Sequence, residues 1–305
     1  MVKRKLGTFK SWGSLVFYTV LMIWPILQFA VFYIGVNTNS ILLAFKKIDL
    51  KRNYTLTFEN FSGWFIKGSA DNTILMRALG VSLKTYLITL CTGVPLGLFF
   101  SYYIYKRFTG AMFFRFMLFM PSIISSIVLV TIFSYFVDYV LPEITQLIGI
   151  EIKDSLINTP DVRYRTIMFY SIFVSFGTNV LLYSNRMAGI SPEVTEAAQL
   201  DGAGPAKEFF YIVLPQVFST ISVFLVTGIT SLFTNEINNF SFFQYNMNKD
   251  TTTIGFLLYY KMQNAGQNVW LYPPVAALGI MCTAVAIPLT FLARWLLAKI
   301  GPSED

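Results

Sequence analysis

The 305-residue chain has no histidine, two cysteines and only 13% charged residues. Each scarcity excludes something. Without histidine, the commonest general base and the commonest transition-metal ligand are both missing, which argues against a histidine- or metal-dependent membrane enzyme. Cys91 and Cys282 each sit inside an apolar run, where inert buried thiols are expected and a disulfide is not. A soluble domain carries about 25% charged residues, so this chain has about half the charge that would cover a globule. Also missing is a Gly-rich phosphate loop followed by Lys-Ser/Thr, so nucleotide hydrolysis is not expected within the chain. Neither a tandem repeat nor a low-complexity tract is present.

What the chain does have is apolar surface: 55% hydrophobic residues, with 30 Phe and 17 Tyr. Such a surface needs a lipid bilayer as its solvent. The net charge of +7 is spread in short runs between apolar stretches, as for loops beside anionic headgroups. No basic face persists along any element, so no nucleic-acid partner is expected.

A helix needs about 20 apolar residues to cross the hydrocarbon. Charge-free windows predict an all-α membrane protein with six transmembrane helices near 14–36, 83–105, 116–137, 166–185, 217–238 and 271–295. Ten-residue units of alternating polarity, the mark of a barrel, are absent. Pro25, Pro95, Pro121 and Pro288 fall in or beside these spans and read as kinks in a packed bundle. The basic N-terminus precedes an apolar stretch too long for a signal peptide, so an uncleaved first helix with its N-terminus in the cytoplasm is expected. Six crossings return the C-terminus to the same side. Of the 23 Lys and Arg, 11 then fall inside and 12 outside, so totals do not orient the chain. The purely basic tail and second loop (Lys106, Arg107, Arg115) do favour this orientation.

Two outer loops are long. Residues 37–80 hold Phe58, Phe61, Trp64 and Phe65 among polar residues and predict a small folded cap. Residues 138–165 form an acidic stretch on the same side.

The most specific segment is the inner loop 191–215. Ser191 is a good N-cap, Pro192 suits the first helical position and Glu193 complements the dipole. Val194, Ala197, Ala198 and Asp201 share one face, left shallow by the alanines. Gly202 stops this helix, and Gly204-Pro205 starts a second that runs through Phe209 to Pro215. The residues alone describe a rigid helix–turn–helix at the membrane surface.

Glu196-Ala197-Ala198, then Gly202, then Ile212-Val213-Leu214-Pro215, resembles the EAA motif of binding-protein-dependent ABC importer permeases, and Asp201-Gly202-Ala203 fits its extended form. The resemblance implies a type I ABC importer permease fold, here a single permease domain over 1–305. It also implies that Glu196, Ala197, Ala198, Asp201, Gly202 and Ala203 couple to a cytoplasmic ATPase. The implied partners are a second homologous permease subunit, a dimer of ATPase subunits that bind ATP and Mg, and an extracytoplasmic solute-binding protein. No cofactor is implied within this chain, and the implied location is the bacterial cytoplasmic membrane.

The wider chain resembles the maltose-type carbohydrate branch, its first subunit in particular. The resemblance rests on Phe58-Glu59-Asn60-Phe61, on Leu232–Tyr245 with Thr251–Thr253, and on the end with Pro288, Arg294-Trp295 and Lys299. The Gly-Gly-Pro usual after the fifth helix is replaced by Asn246–Asp250. A sugar or oligosaccharide moved by alternating access is the implied cargo.

Polar residues on apolar helices are the physical candidates for its path. Ser171, Ser175 and Thr178 share a face of the fourth helix, and Asn235, Glu236 and Asn239 cluster on the fifth. Asn and Glu can bind hydroxyls, while Phe240 or Tyr245 could stack on a sugar face. By register from the EAA motif, both clusters fall where maltose-type permeases contact sugar. The competing readings are a permease for an amino acid, phosphate ester or anion, and a membrane-embedded enzyme. An anion site should present Arg or Lys inside the bundle, and spans three to six have none in their interiors.

Overall fold

The computed structural model describes residues 12–48, 54–152, 154–266 and 268–302. The N-terminal tail and the last three residues lie outside these. Among the described residues, six helices are long and apolar enough to cross a membrane. We label the helices α1 (Trp12–Ala44), α2 (Ala70–Tyr105), α3 (Ala111–Ser122), α4 (Ser126–Leu147), α5 (Pro160–Met187), α6 (Pro192–Leu200), α7 (205–216), α8 (Phe218–Thr234), α9 (Asn239–Phe243), α10 (Ile254–Ala265) and α11 (Tyr272–Ile300). The helical solution follows from the solvent, since hydrocarbon offers backbone groups no partner outside the helix.

Several boundaries differ from the expected ones. Helix α2 starts at residue 70, not 83, capped by Ser69, whose Oγ accepts from the Asn72 amide. Charge-free windows mark the hydrocarbon crossing alone, whereas the helix carries Asp71 and Arg77 out into the interface. The segment 37–80, expected as a loop, is therefore helical at both ends. The third span, expected at 116–137, is interrupted. Helix α3 ends in a tight turn at Met120–Ser122, around Pro121, and α4 restarts at Ser126. Proline removes a donor and clashes with the preceding turn, which ends α3 there. The acidic stretch after 137 is then partly helical, through Leu147. Elsewhere the ladders widen to π-type turns, at Phe29–Val36, Thr89–Gly93 (just before Pro95), Phe136–Val140 and Phe209–Val213.

The chain forms two compact units, Met1–Gly63 with Ala265–Met281, and Trp64–Asn264 with Cys282–Asp305. In the first, α1 buries no side chain before Ala44. It leads into a two-stranded antiparallel hairpin, β1 (Lys46–Ile48) and β2 (Tyr54–Leu56), with Lys46 opposite Leu56. The Phe45 ring packs on Phe58 and Phe61 at 5.5 and 5.0 Å. Asn60 Nδ2 donates to the carbonyls of Ala44 and Lys46. This part of the expected cap is folded.

In the second unit α2 and α5 form the central pair. Small residues let them approach: Gly97 lies against the Tyr183 ring, and Ser101 Oγ donates across to the Val180 carbonyl at 3.0 Å. Helix α3 crosses α5 at Gly177, where a Cβ would collide with the Leu118 carbonyl. Small-residue crossings of this kind suit lipid, where helices associate by packing and not by hydrophobicity.

Candidate functional site

Helix α6 begins as expected at Ser191-Pro192, although Ser191 Oγ bonds the Glu193 carboxylate and not a backbone amide. Its end is a Schellman turn. Ala203 N donates to Ala198 O at 2.9 Å and Gly202 N to Gln199 O at 3.0 Å, with Gly202 at φ +79°. Only glycine takes that φ at little cost, so Gly202 fixes the angle at which α7 departs.

Helix α7 does not float at the surface. Phe209, Val213 and Val217 are buried with Leu98 and Tyr102 of α2 and Tyr183 and Met187 of α5. The Phe209 ring lies 5.1 Å from both Phe99 and Tyr102. Glu208, only 2% exposed, accepts both Lys106 Nζ contacts, at 2.9 and 3.0 Å. Gln199 Nε2 of α6 donates to the same carboxylate at 3.4 Å, and Tyr102 OH to the Pro205 carbonyl at 3.1 Å. A buried carboxylate is costly unless paired, so this cluster holds α6, α7 and the end of α2 as one body. Sequence reasoning missed the Lys106–Glu208 pair. A lone carboxylate beside Phe209-Phe210 was a signal, but a partner 102 positions away leaves none.

The outward face of α6 also needs correction. Ala198 turns inward and is buried together with Thr195, while Val194, Glu196, Ala197 and Asp201 are exposed. Leu200, not foreseen, is 89% exposed at the tip. Val194, Ala197 and Leu200, three residues apart, make an apolar stripe with no cover among the described residues. Ala203 is half-buried beyond the turn.

The other candidate cluster surrounds an interruption in the fifth span. Helix α8 stops at Thr234, and Ile237 and Asn238 take φ +45° and +56° before α9. The left-handed region is unusual for any residue with a Cβ and most so for a β-branched one, and such strain persists only where surroundings over-determine it. Here they do. Asn235 Oδ1 accepts from the Ile237 amide, and Ser171 Oγ of α5 donates to the Ile237 carbonyl. Asn239 Nδ2 donates to the carbonyls of Glu236 and Thr251, at 2.8 and 2.7 Å. A Cβ at Gly255 would collide with the Thr234 carbonyl, so α10 can start against the break.

The expected solute contacts thus separate. Asn239 is fully buried, with its Nδ2 spent on backbone carbonyls and its Oδ1 without a partner among the described residues, so in this conformation it holds the break. Ser175 bonds carbonyls of its own helix, and Ser171 supports the break. Thr178 and Asn235 are exposed, and Glu236 is half-buried. Phe240 packs edge-on against Tyr245 and Tyr259, at 6.0 and 5.2 Å, with Tyr245 largely exposed. Asn235 lines a cavity of about 20 Å³ with Ser82, Thr85, Tyr86 and Ser231. A water needs about 10–15 Å³, so this space admits water and excludes a sugar. Among the described residues, no group of three His, Cys, Asp or Glu side chains could hold a metal ion.

Known proteins are similar to this chain. The multiple sugar-binding transport system permease protein MsmF of Streptococcus mutans is 24% identical over 252 residues, covering 82% of this chain and 84% of its own. The probable ABC transporter permease protein YurN of Bacillus subtilis is 31% identical over 126 residues, 40% of this chain and 43% of its own. The maltose/maltodextrin permease protein MalF of Klebsiella aerogenes is 22% identical over 231 residues, 73% of this chain and 43% of its own. A bacterial ABC transporter involved in import of the acidic polysaccharide alginate contains a chain of the same fold. Its TM-score is 0.79 at 18% identity, covering 95% of this chain and 97% of that one. The profile of the family described as binding-protein-dependent transport system inner membrane component matches residues 93–303, which include α6, its Schellman turn and the buried α7. With that match, and with six helices among the described residues long and apolar enough to cross a membrane, the chain belongs to the inner-membrane components of binding-protein-dependent transport systems.

Proposed function

We propose that this chain is the permease subunit of an ATP-driven importer for a sugar or oligosaccharide, working by alternating access beside a second homologous permease subunit. The observation that carries the reading is the rigid α6–α7 lever. It is locked to α2 by Glu208 and Lys106 and ends in the uncovered stripe Val194, Ala197 and Leu200. A soluble partner pressing on that stripe would move α2 and α5 together, since the lever shares their core.

The partner is a dimer of cytoplasmic ATPase subunits, which bind ATP and Mg, so that α6 and both chain termini face the cytoplasm. No cofactor belongs to this chain itself. Glu196, Ala197, Asp201, Gly202 and Ala203 form or set the docking end, with Ala198 holding α6 from behind. A solute-binding protein delivers cargo on the opposite face. The sugar class is supported by the similarity to MsmF, named for multiple sugars, and to the maltose/maltodextrin permease. Thr178, Asn235, Glu236, Phe240 and Tyr245 remain the candidate contacts, with Ser171, Ser175 and Asn239 shaping the path around them.

The test is uptake by the reconstituted complex with its binding protein, assayed with radiolabelled mono- and oligosaccharides against amino acids. ATP-dependent accumulation of a sugar is expected. Accumulation of amino acids with no sugar uptake would overturn the cargo class while leaving the permease role intact.

A further inference from the structure

A groove of about 1150 Å³ opens between the start of α8, the end of α11 and the last turn of α5. Its floor is the contact of Phe218 with Gly301, where a Cβ would collide with the ring. Arg186 and Arg294 line it, no carboxylate does, and neither guanidinium is ion-paired among the described residues. Ser219 and Ser222 add hydroxyls, and Val223 and Val226 form an aliphatic wall beside them.

The depth of these groups is set by helix length. Helix α11 has 29 residues, about 44 Å at 1.5 Å per residue, against a hydrocarbon core of about 30 Å. Arg294 lies six residues before its end, about 9 Å in, and Arg186 is the penultimate residue of α5. Both guanidinium groups therefore sit at headgroup level, with the valines of α8 reaching toward the acyl region.

We propose that this groove binds an anionic phospholipid from the leaflet on the α6–α7 side, its phosphate between Arg186 and Arg294 and an acyl chain along Val223 and Val226. Guanidinium groups match phosphate oxygens bidentately, and basic pockets between membrane helices hold anionic headgroups by the same pairing. A helix from another subunit would have to bring carboxylates to meet the two arginines; a phospholipid brings its charge and its apolar chain together.

The assembled transporter, reconstituted in nanodiscs of equal phosphatidylglycerol and phosphatidylethanolamine, is analysed for retained lipid by native mass spectrometry. Two arginines at a membrane surface predict about a thirtyfold preference for phosphatidylglycerol. Arg186→Gln with Arg294→Gln removes the preference. Lys299→Gln, a charge loss on the same helix end outside the groove, keeps it. A photo-crosslinker at Val226 in the otherwise native complex, which does not depend on the arginine variants assembling, labels lipid. Equal retention of both lipids, a preference unchanged in the double variant, or crosslinking confined to a protein subunit would overturn the assignment.

Discussion

Gly202 is where one residue's backbone sets the geometry of the whole lever. No atom lies within 4 Å of a Cβ built there, so a side chain meets strain and no clash. A left-handed φ costs a non-glycine residue about 1–2 kcal/mol, less for Asn, which visits that region more readily. Gly202→Asn is expected to keep uptake coupled to ATP hydrolysis, and Gly202→Val to lose coupling with the complex still assembled. Equal loss in both, measured as transport per ATP hydrolysed, would point to a crowded partner contact in place of backbone strain. Lys106 tests the buried pair. Removing one partner of a buried ion pair costs about 3–5 kcal/mol, and since Lys106 is itself a fifth exposed, Lys106→Ala should fall at the low end. Lys106→Met with Glu208→Met should recover most of that loss, read as thermal stability of the assembled complex. No recovery would mean the pair does more than neutralise charge.

At the scale of elements, the interruption between α8 and α9 combines two left-handed residues, Ile237 and Asn238, with side-chain hydrogen bonds that hold them. Asn238→Gly should be close to neutral for stability, because glycine accepts φ +56° without a Cβ penalty. Asn238→Val should cost about 1–2 kcal/mol. Asn239→Ala leaves the Thr251 carbonyl without its donor, at about 1–3 kcal/mol for a buried group left unsatisfied, while the residue 239 amide still serves the Glu236 carbonyl. It should therefore lower assembly and thermal stability before it alters apparent solute affinity. A variant that assembles normally but needs more solute would return Asn239 to the contact set. The helix–turn–helix over 191–215 was legible because caps, prolines and glycines act locally. The break at 235–238 was not, since no Gly or Pro marks it and its supports come from α5 and the 251–255 segment.

For the whole molecule, Leu200 reports both orientation and docking. At 89% exposure, Leu200→Cys in a background lacking Cys91 and Cys282 should react with a membrane-impermeant maleimide only from the cytoplasmic side, and more slowly once the ATPase subunits are bound. Labelling from the outer face would reverse the topology. Unchanged rates with and without the ATPase would remove α6 from the interface. The number of crossings needed only the sequence, because a hydrocarbon solvent demands long charge-free runs wherever a helix crosses and forbids most alternatives. The two-helix lever was likewise encoded locally, in Ser191-Pro192, Gly202 and Gly204-Pro205. Which side chains meet was settled only in three dimensions. Lys106 with Glu208, Asn239 with Thr251 and the two arginines of the groove are brought together by helix packing, and packing depends on shape and small-residue contacts between distant spans. Local periodicity carries no record of those contacts.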